Sequence, residues 1–329
     1  MAKITVAADN QTFECGADDT ILRAALRAGV GMAYSCNVGS CGNCRFELVE
    51  GEVAHRRADA PAWTERDLKR NRWLGCQAAP RGDCTIKFRA DERYAVKPGP
   101  ARRTAVLTHS EPITRDITEF TFRIEGPDTF HPGQYALLSI PSVEGARPYS
   151  MSNLPGAGIW QFQIKRVPGG ALTGWLFDTA RPGDSVAIDG PYGTAYLDAT
   201  SPRDILLMAG GSGLSPMVSI ARGAKAAGML ETRSLRFFYG CRAEADLFDA
   251  SLLADLGGTV TLTSALSEAP ATWSGAQGFL HDVARSELGE QLKDHEIYFA
   301  GPAVMSAAIQ KMAHELGAAQ NQLHFDEFY

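Results

Sequence analysis

Three cysteines crowd one short stretch, Cys36-Asn-Val-Gly-Ser-Cys41-Gly-Asn-Cys44, and a fourth, Cys76, follows in Leu74-Gly-Cys76-Gln77. Thiolates spaced Cys-x4-Cys-x2-Cys with a distant fourth member are the ligand set of a 2Fe-2S cluster. Four-cysteine zinc sites usually take two Cys-x2-Cys pairs, and Cys76 has no close partner at that spacing. Gly39 and Gly42 let the loop bend tightly, so that backbone N–H groups come close to sulfur and stabilise the more negative, reduced cluster. The metal ligands are therefore read as Cys36, Cys41, Cys44 and Cys76, with Cys15, Cys84 and Cys241 spare. If the loop is where electrons leave, its rim, Asn37, Val38, Ser40 and Asn43, is expected to lie exposed.

Other stretches carry residue types suited to phosphates and flat rings. In Arg147-Pro-Tyr149-Ser150 the guanidinium offers a bidentate fork, the tyrosine a flat face, and the serine a hydroxyl able to reach a ring nitrogen. Lys165-Arg-Val-Pro-Gly169-Gly170 leads a glycine-rich turn into a helix start near Thr173, where free N–H groups suit a pyrophosphate. Gly210-Gly211-Ser-Gly213-Leu-Ser-Pro216 follows a strand and opens a helix, the place where a dinucleotide phosphate is received. It is not the dehydrogenase fingerprint, because Gly-Gly-x-Gly-x-x-Pro replaces Gly-x-Gly-x-x-Gly. Singly, each stretch has a plainer reading: a loop at Gly169-Gly170, a surface cation at Arg147, a barrel turn at Gly190-Pro-Tyr-Gly193.

The elements that must position these residues change character along the chain. A length of 329 residues suggests two or three domains. The hydrophobic fraction of 45% and charged fraction of 21% are those of a soluble globular protein. No apolar run approaches the ~20 residues that cross a bilayer, and the opening Met-Ala-Lys-Ile-Thr-Val lacks a signal-peptide pattern, so a cytoplasmic location is expected. Residues 1–90 hold 13 Lys/Arg against 11 Asp/Glu, leaving −8 of the net −6 to the remainder. Neither value is the concentrated basic patch that nucleic acid requires, whereas a slightly basic cluster-bearing segment suits an acidic protein partner. Lys3–Val6 and Gln11–Phe13 read as a hairpin, Ile21–Ala28 as a helix capped at Asp19-Thr20, and Arg45–Val49 and Asp83–Phe88 as strands. Lys97-Pro-Gly-Pro100 breaks the periodicity, so 91–102 is read as a linker. Short alternating strands with turns at His131-Pro-Gly133 and Arg181-Pro-Gly-Asp184 indicate an antiparallel barrel or sandwich over 103–200, interrupted by a short helix at 172–177. From 201 to 329 strands and helices alternate as in a doubly wound parallel sheet, with helices expected at 216–227, 247–256, 282–288 and 304–316. The seven histidines show no ligand spacing, and the five tryptophans read as core or half-core residues.

Residues 1–90 resemble a plant-type ferredoxin domain, a β-grasp fold, through the loop spacing, Leu74-Gly-Cys76-Gln77 and the strand–helix order. Residues 103–200 and 201–329 resemble the FAD-binding β-barrel and the NAD-binding α/β domain of the ferredoxin-NADP reductase superfamily. That resemblance implies that Tyr149 lies against the isoalloxazine ring, that Ser150 sits near its N5, and that Arg147, Lys165, Gly169, Gly170 and Thr173 hold the FAD pyrophosphate. It implies that Gly210, Gly211, Gly213, Pro216, Arg242, Asp246, Gly301 and Pro302 receive NAD, with Met305 also at a family position. In His324-Phe-Asp326-Glu-Phe328-Tyr329 it implies that Phe328 covers the flavin and that Asp326 polarises the hydride-transfer site, so Ser150, Asp326 and Phe328 are the expected catalytic residues. A frayed tail is the plainer reading, but three aromatics in five residues are costly to leave in water. One departure is Ala300, where many relatives have a cysteine beside the nicotinamide.

The full order of domains is similar to the reductase components of multicomponent aromatic-ring oxygenases, nearer to those of carbazole- and naphthalene-type dioxygenases than to those of di-iron aromatic monooxygenases. The implied function is transfer of hydride from NADH to FAD and of single electrons through the 2Fe-2S cluster to a Rieske-type ferredoxin or terminal oxygenase. NADH is preferred because Glu244 and Asp246 suit a ribose hydroxyl and repel a 2′-phosphate, although Arg242 argues the other way. The alternatives are a reductase of the same build serving another acceptor, and a non-catalytic relay or sensor subunit, to which only Ala300 points.

Overall fold

The computed structural model describes residues 1–328; Tyr329 lies outside the described residues. Contacts group the chain into two compact units, Met1–Arg102 with Ala136–Pro148 and Ile188–Thr194, and Arg103–Tyr135 with Tyr149–Ala187 and Ala195–Tyr329. Each is described by itself.

The first unit is built on a mixed sheet. Its elements are β1 (Ala2–Val6), β2 (Thr12–Cys15), α1 (Ile21–Arg27), β3 (Arg45–Glu50), β4 (Val53–His55), α2 (Glu65–Lys69), β5 (Arg72–Leu74), β6 (Ala78–Pro80) and β7 (Cys84–Lys87). The strand order is β2-β1-β7-β3-β5, with β1 and β7 parallel and β4 and β6 forming a separate ribbon. Alternation dictates the burial: Ile4, Val6, Phe13, Phe46 and Ile86 are buried, as are Ile21, Leu22 and Leu26 of α1. α1 ends where Gly29 takes φ +76, a left-handed value that glycine adopts without strain. Beyond it, Arg27 pairs with Asp189 at 2.8 Å, Asp189 accepts from Tyr192 Oη at 2.9 Å, and Tyr34 Oη accepts the Gly193 N–H at 2.8 Å. Between the turn at Glu50-Gly51 and Trp73, a stretch that by sequence is simply polar, the structure adds α2. The signal was present in Thr64-x-x-Asp67, whose side chains form a reciprocal capping box.

A six-stranded antiparallel sheet follows in the order β11-β10-β13-β8-β9-β12. Its strands are β8 (Ala101–Pro112), β9 (Ile117–Ile124), β10 (Tyr135–Ser139), β11 (Arg147–Ser150), β12 (Ile159–Lys165) and β13 (Ser185–Tyr192). In the second unit, β9 pairs with β12 along its whole length, and the inward residues Phe120, Phe122, Trp160 and Phe162 are fully buried. The helix expected at 172–177 begins as α3 (Ala171–Gly174) and widens into a π turn over Trp175–Thr179.

The remainder of the second unit is a parallel sheet in the order β17-β16-β15-β14-β18-β19. It comprises β14 (Asp204–Gly210), α4 (Leu214–Ala226), β15 (Leu235–Cys241), β16 (Val260–Leu266), β17 (Ala276–Gln277), α5 (Leu280–Leu288), β18 (His295–Pro302), α6 (Ala303–Glu315) and β19 (Leu323–Phe328). β14 is apolar almost throughout because both faces are covered: Ile205, Leu207 and Ala209 join the core against α4, while Leu206 and Met208 join that against α5 and α6. A helix over 247–256 does not form; 3-10 turns span Ala250–Thr259 and break at Gly257, φ +67. Strand order reverses between β14 and β18, whose carboxyl ends are Gly210 and Pro302. A crevice at such a switch point is where doubly wound sheets take their ligands.

Candidate functional site

In the first unit the cysteine loop wraps around its own first thiol. The N–H groups of Val38, Ser40 and Cys41 donate to Cys36 Sγ at 3.5, 3.3 and 3.3 Å. This curl requires left-handed backbone at Asn37, Gly39 and Gly42, with φ of +58, +88 and +78. Cys41 shares a hydrogen bond with Cys36, and together with the three N–H donors it pulls the Cys36 thiol down to about 5. The second pair is formed across the fold. The Cys76 N–H donates to Cys44 Sγ at 3.5 Å, the Cys44 thiol bonds Cys76 and lowers it, and Gln77 Nε2 adds a donor to Cys76 Sγ at 3.6 Å. Among the described residues no three His, Cys, Asp or Glu side chains are placed around one metal ion. The four sulfurs fall instead as two hydrogen-bonded pairs, 36 with 41 and 44 with 76; in each, one thiol is lowered as the acceptor, Cys36 and Cys76, and its donor is raised, Cys41 and Cys44. That donor set fits a cluster of two irons.

The cage is braced from one side by residues 56–72. The Ala62 N–H donates to the Gly39 carbonyl at 3.1 Å. Arg45 reaches Gly42 O at 2.8 Å, the Ala62 carbonyl, and Asp67 Oδ1 at 3.0 Å. The expected rim is only partly exposed. Asn43 is exposed, and Val38 and Ser40 are half-buried, but Asn37 is buried because Arg23 clamps both its side-chain oxygen and its carbonyl at 3.1 Å.

In the second unit, Ser150 at the end of β11 is buried, and its carbonyl accepts from Ser215 Oγ at 2.7 Å. Ser215 Oγ in turn accepts the Gln163 N–H at 3.2 Å, which ties the strand carrying Tyr149 and Ser150 to the first turn of α4. Arg147, grouped with the first unit, is exposed and donates to the carbonyls of Glu144 and Ala146. Gly169 has φ +72 with open space where a side chain would stand. The Thr173 hydroxyl closes that turn, receiving the Val167 N–H at 3.3 Å and reaching Gly170 O at 3.2 Å. Lys165 pairs with Asp116 at 2.9 Å, and its stem runs 3.9 Å from where a Gly211 side chain would begin. It therefore lies beside the Gly210–Gly213 loop as well as the Gly169-Gly170 turn.

That loop is packed to contact. A side chain at Gly213 would collide with the Ala300 carbonyl, and one at Gly210 would come within 2.6 Å of Met305 Sδ. Gly301, φ +154, faces Gly210 from across the switch point. Pro216 is buried in α4. Arg242 and Glu244 are exposed, whereas Asp246 is buried, bound by Arg115 Nε at 2.6 Å and by the Ala243 N–H at 3.2 Å. The chain's ending is not frayed: β19 pairs in parallel with β18, Ala300 opposite Asp326 and Pro302 opposite Phe328. Phe328 is half-buried against the α4-side core, and burial pushes the Asp326 carboxyl up to about 7. Both lie beside the carboxyl end of β18, which neighbours that of β14 at Gly210.

Comparison with known proteins covers each part. Residues 4–81 match the 2Fe-2S iron-sulfur cluster binding domain, 104–196 the oxidoreductase FAD-binding domain, and 207–311 the oxidoreductase NAD-binding domain. A ferredoxin–NAD(P)+ reductase of Metapseudomonas resinovorans is 36% identical over 323 residues, 96% of each chain. The chain belongs to the ferredoxin–NAD(P)+ reductases of oxygenase systems. The ferredoxin–NAD+ reductase component of an alkene monooxygenase system from Xanthobacter autotrophicus is 38% identical over 97% of this chain and 98% of its own. The solved ferredoxin reductase of a carbazole 1,9a-dioxygenase superposes with a TM-score of 0.91 at 32% identity, covering 100% of this chain and 98% of that one.

This reductase is thus an oxidoreductase with 2Fe-2S, FAD and NAD domains. Identity follows the ranking drawn from motifs: the naphthalene dioxygenase component of Pseudomonas putida is 31% identical and its xylene/toluene monooxygenase counterpart 29%, whereas the alkene monooxygenase component stands outside that comparison. Three features escaped the sequence reading: the Arg45 brace, the Ser215 tether and the Arg115–Asp246 pair. Each joins residues far apart in sequence through a polar side chain that is ordinary on its own. Among the described residues no helix is long and apolar enough to cross a membrane.

Proposed function

We propose that the chain draws hydride from NADH and delivers single electrons to a Rieske-type ferredoxin or to the terminal component of an oxygenase acting on aromatic rings. When bound, FAD accepts electrons as a pair and the 2Fe-2S cluster passes them on singly. Cys36, Cys41, Cys44 and Cys76 hold the cluster, and the N–H groups of Val38, Ser40 and Cys41 share its negative charge. Tyr149 and Ser150 face the flavin ring, Arg147 and Lys165 meet its pyrophosphate, and the open turn at Gly169 and Gly170, fixed by Thr173, admits the phosphates to backbone N–H groups. Phe328 covers the ring from β19. Gly210, Gly211, Gly213 and Pro216 receive the nicotinamide dinucleotide, with Gly301 and Pro302 opposite. Asp326, holding its proton near neutrality, polarises the position where hydride moves.

NADH is favoured because Glu244 stands exposed beside Arg242, where it accepts from a ribose hydroxyl and repels a 2′-phosphate. Asp246, engaged by Arg115, keeps that turn in place. Kinetics with both nucleotides test this, and a clear preference for NADPH overturns it.

The observation that carries the proposal is the cage of two thiol pairs in the same chain as a glycine loop at a switch point. Its test is anaerobic NADH titration followed by visible absorbance, with iron, sulfide and flavin counted on the same sample. Absence of either prosthetic group sinks it. The 38% identity to an alkene monooxygenase component supports a second reading in which the acceptor serves a monooxygenase; reduction of purified components of each kind separates the two. If NADH fails to bleach the flavin, the chain is a relay subunit instead.

A further inference from the structure

The loop around the cysteines offers an outside protein little to hold, because Asn37 is buried and only Asn43 stands clear. The neighbouring excursion, residues 56–72, is different. It carries six cations against three acids in a chain of net charge −6, so the remainder sums to −9. Two of the three acids are already committed, Asp59 to Arg57 at 3.1 Å and Asp67 to Arg45 at 3.0 Å. Arg66, Lys69, Arg70 and Arg72 are all exposed. Amid these cations lies an apolar platform. Trp63 and Trp73 stack with centroids 5.2 Å apart and half-buried rings, and Leu68 is 57% exposed. The indoles are held in place, Trp63 donating to Arg72 O at 2.9 Å and Trp73 to Asn71 Oδ1 at 3.0 Å. His55 packs edge-on to both rings, and burial lowers it to about 4, so it adds no charge to them at neutral pH. The excursion is fixed to the cluster loop directly by the Ala62 N–H bond to Gly39 O and indirectly through Arg45, which bonds Gly42 O as well as Ala62 and Asp67.

Pre-positioned tryptophans ringed by arginines are the composition of binding hot spots, and cations surrounding them steer an oppositely charged protein to productive encounter. We infer that the Trp63–Trp73 platform with Arg66, Lys69, Arg70 and Arg72 is the docking surface for an electron-accepting protein whose own redox centre is rimmed by acidic residues. The inference rests on the reductase reading above and adds to it the place and the chemistry of the partner. Docking there brings the partner's centre against the braced side of the loop, at Gly39 to Asn43, without a demand on the buried Asn37.

The test compares two single-electron probes of opposite surface charge, acidic cytochrome b5 and basic cytochrome c, reduced by the NADH-driven holoenzyme across a salt series. The wild type is expected to reduce cytochrome b5 with a kcat/KM that falls about tenfold between low and physiological ionic strength. Combined Arg66→Glu, Lys69→Glu and Arg70→Glu is expected to lower that value about tenfold at low salt and to raise the value for cytochrome c. Reduction of menadione, an uncharged quinone, and the visible absorbance of the cluster should stay as in the wild type. Equal kinetics of the two proteins toward cytochrome b5, or a wild-type rate that is flat or rises with salt, overturns the inference. So does a change in the sedimentation of the reductase alone, which would assign the surface to a second copy of the chain. Failure of menadione reduction in the wild type sinks the reductase reading itself and is read separately.

Discussion

The cluster cage and the dinucleotide crevice are positioned by opposite means. In the cage, nine consecutive residues supply three of the four cysteines proposed as ligands, and the loop's own N–H groups turn toward its first sulfur. In the crevice, the residues come from the ends of β11, β14, β15, β18 and β19, and what aligns them is contact between glycines and the neighbouring backbone. A locally wired site should fail all at once when a ligand is lost and resist distant change. A site assembled from strand ends should fail by degrees as packing is disturbed.

The sharpest break is Cys41→Ala. It removes one ligand of the first pair, so cluster absorbance should vanish and reduction of a protein acceptor should drop to background, while menadione reduction by NADH continues. Persistent protein reduction would mean that electrons leave without passing the cage. Next is Gly213→Ala, whose methyl would meet the Ala300 carbonyl. Over-packing of this kind costs about 1–3 kcal/mol. Because the strain falls on the loop proposed to receive the nucleotide, the KM for NADH should rise about tenfold with flavin content unchanged. Loss of flavin instead would show that the two halves of the crevice are not separable.

This contrast explains what could be read from the chain. The cage was legible because its chemistry is a spacing: a one-dimensional pattern that survives without a fold. The parallel sheet was legible because β14 is apolar on both faces and the helices between strands have ordinary lengths. α2 was missed although Thr64 and Asp67 announce it, since five residues of helix are too short to show periodicity. Residues 247–256 were misread as a helix because Leu247, Leu252, Leu253 and Leu256 mimic its spacing, yet Gly257 and Gly258 follow and only 3-10 turns form. Asn37 reads as a polar loop residue and is buried, because its partner Arg23 stands on α1, fourteen positions back.

Smaller effects sharpen the picture of the crevice. Glu244→Ala should reduce the preference for NADH over NADPH about tenfold, the worth of one hydrogen bond to a charged group, measured as a ratio of kcat/KM values. Asp326→Asn tests the half-buried acid. Folded Asp326 keeps its proton up to about pH 7, whereas an unfolded aspartate releases it near pH ~4. The folded state thus binds more protons in that window, and the stability this group contributes is present below pH ~4 and lost as pH rises through about 7. Asparagine cannot ionise, so the variant should gain in Tm over the wild type as pH rises through that window. The gain should level off above it. A difference independent of pH would place Asp326 in contact with solvent.

The smallest effect returns to the cage. Thr64→Ala removes a hydroxyl that receives the Asp67 N–H at 3.3 Å and donates to Asp67 Oδ2 at 2.8 Å. Loss of such a cap costs about 1 kcal/mol. Asp67 keeps its bond to Arg45, and Arg45 keeps its bond to Gly42 O, so the brace on the loop survives the fraying of α2. The variant should therefore unfold slightly earlier while binding a full complement of iron and sulfide, read as the ratio of cluster to flavin absorbance. If that ratio falls, the loop depends on α2 for its shape, and the cage is no more local than the crevice.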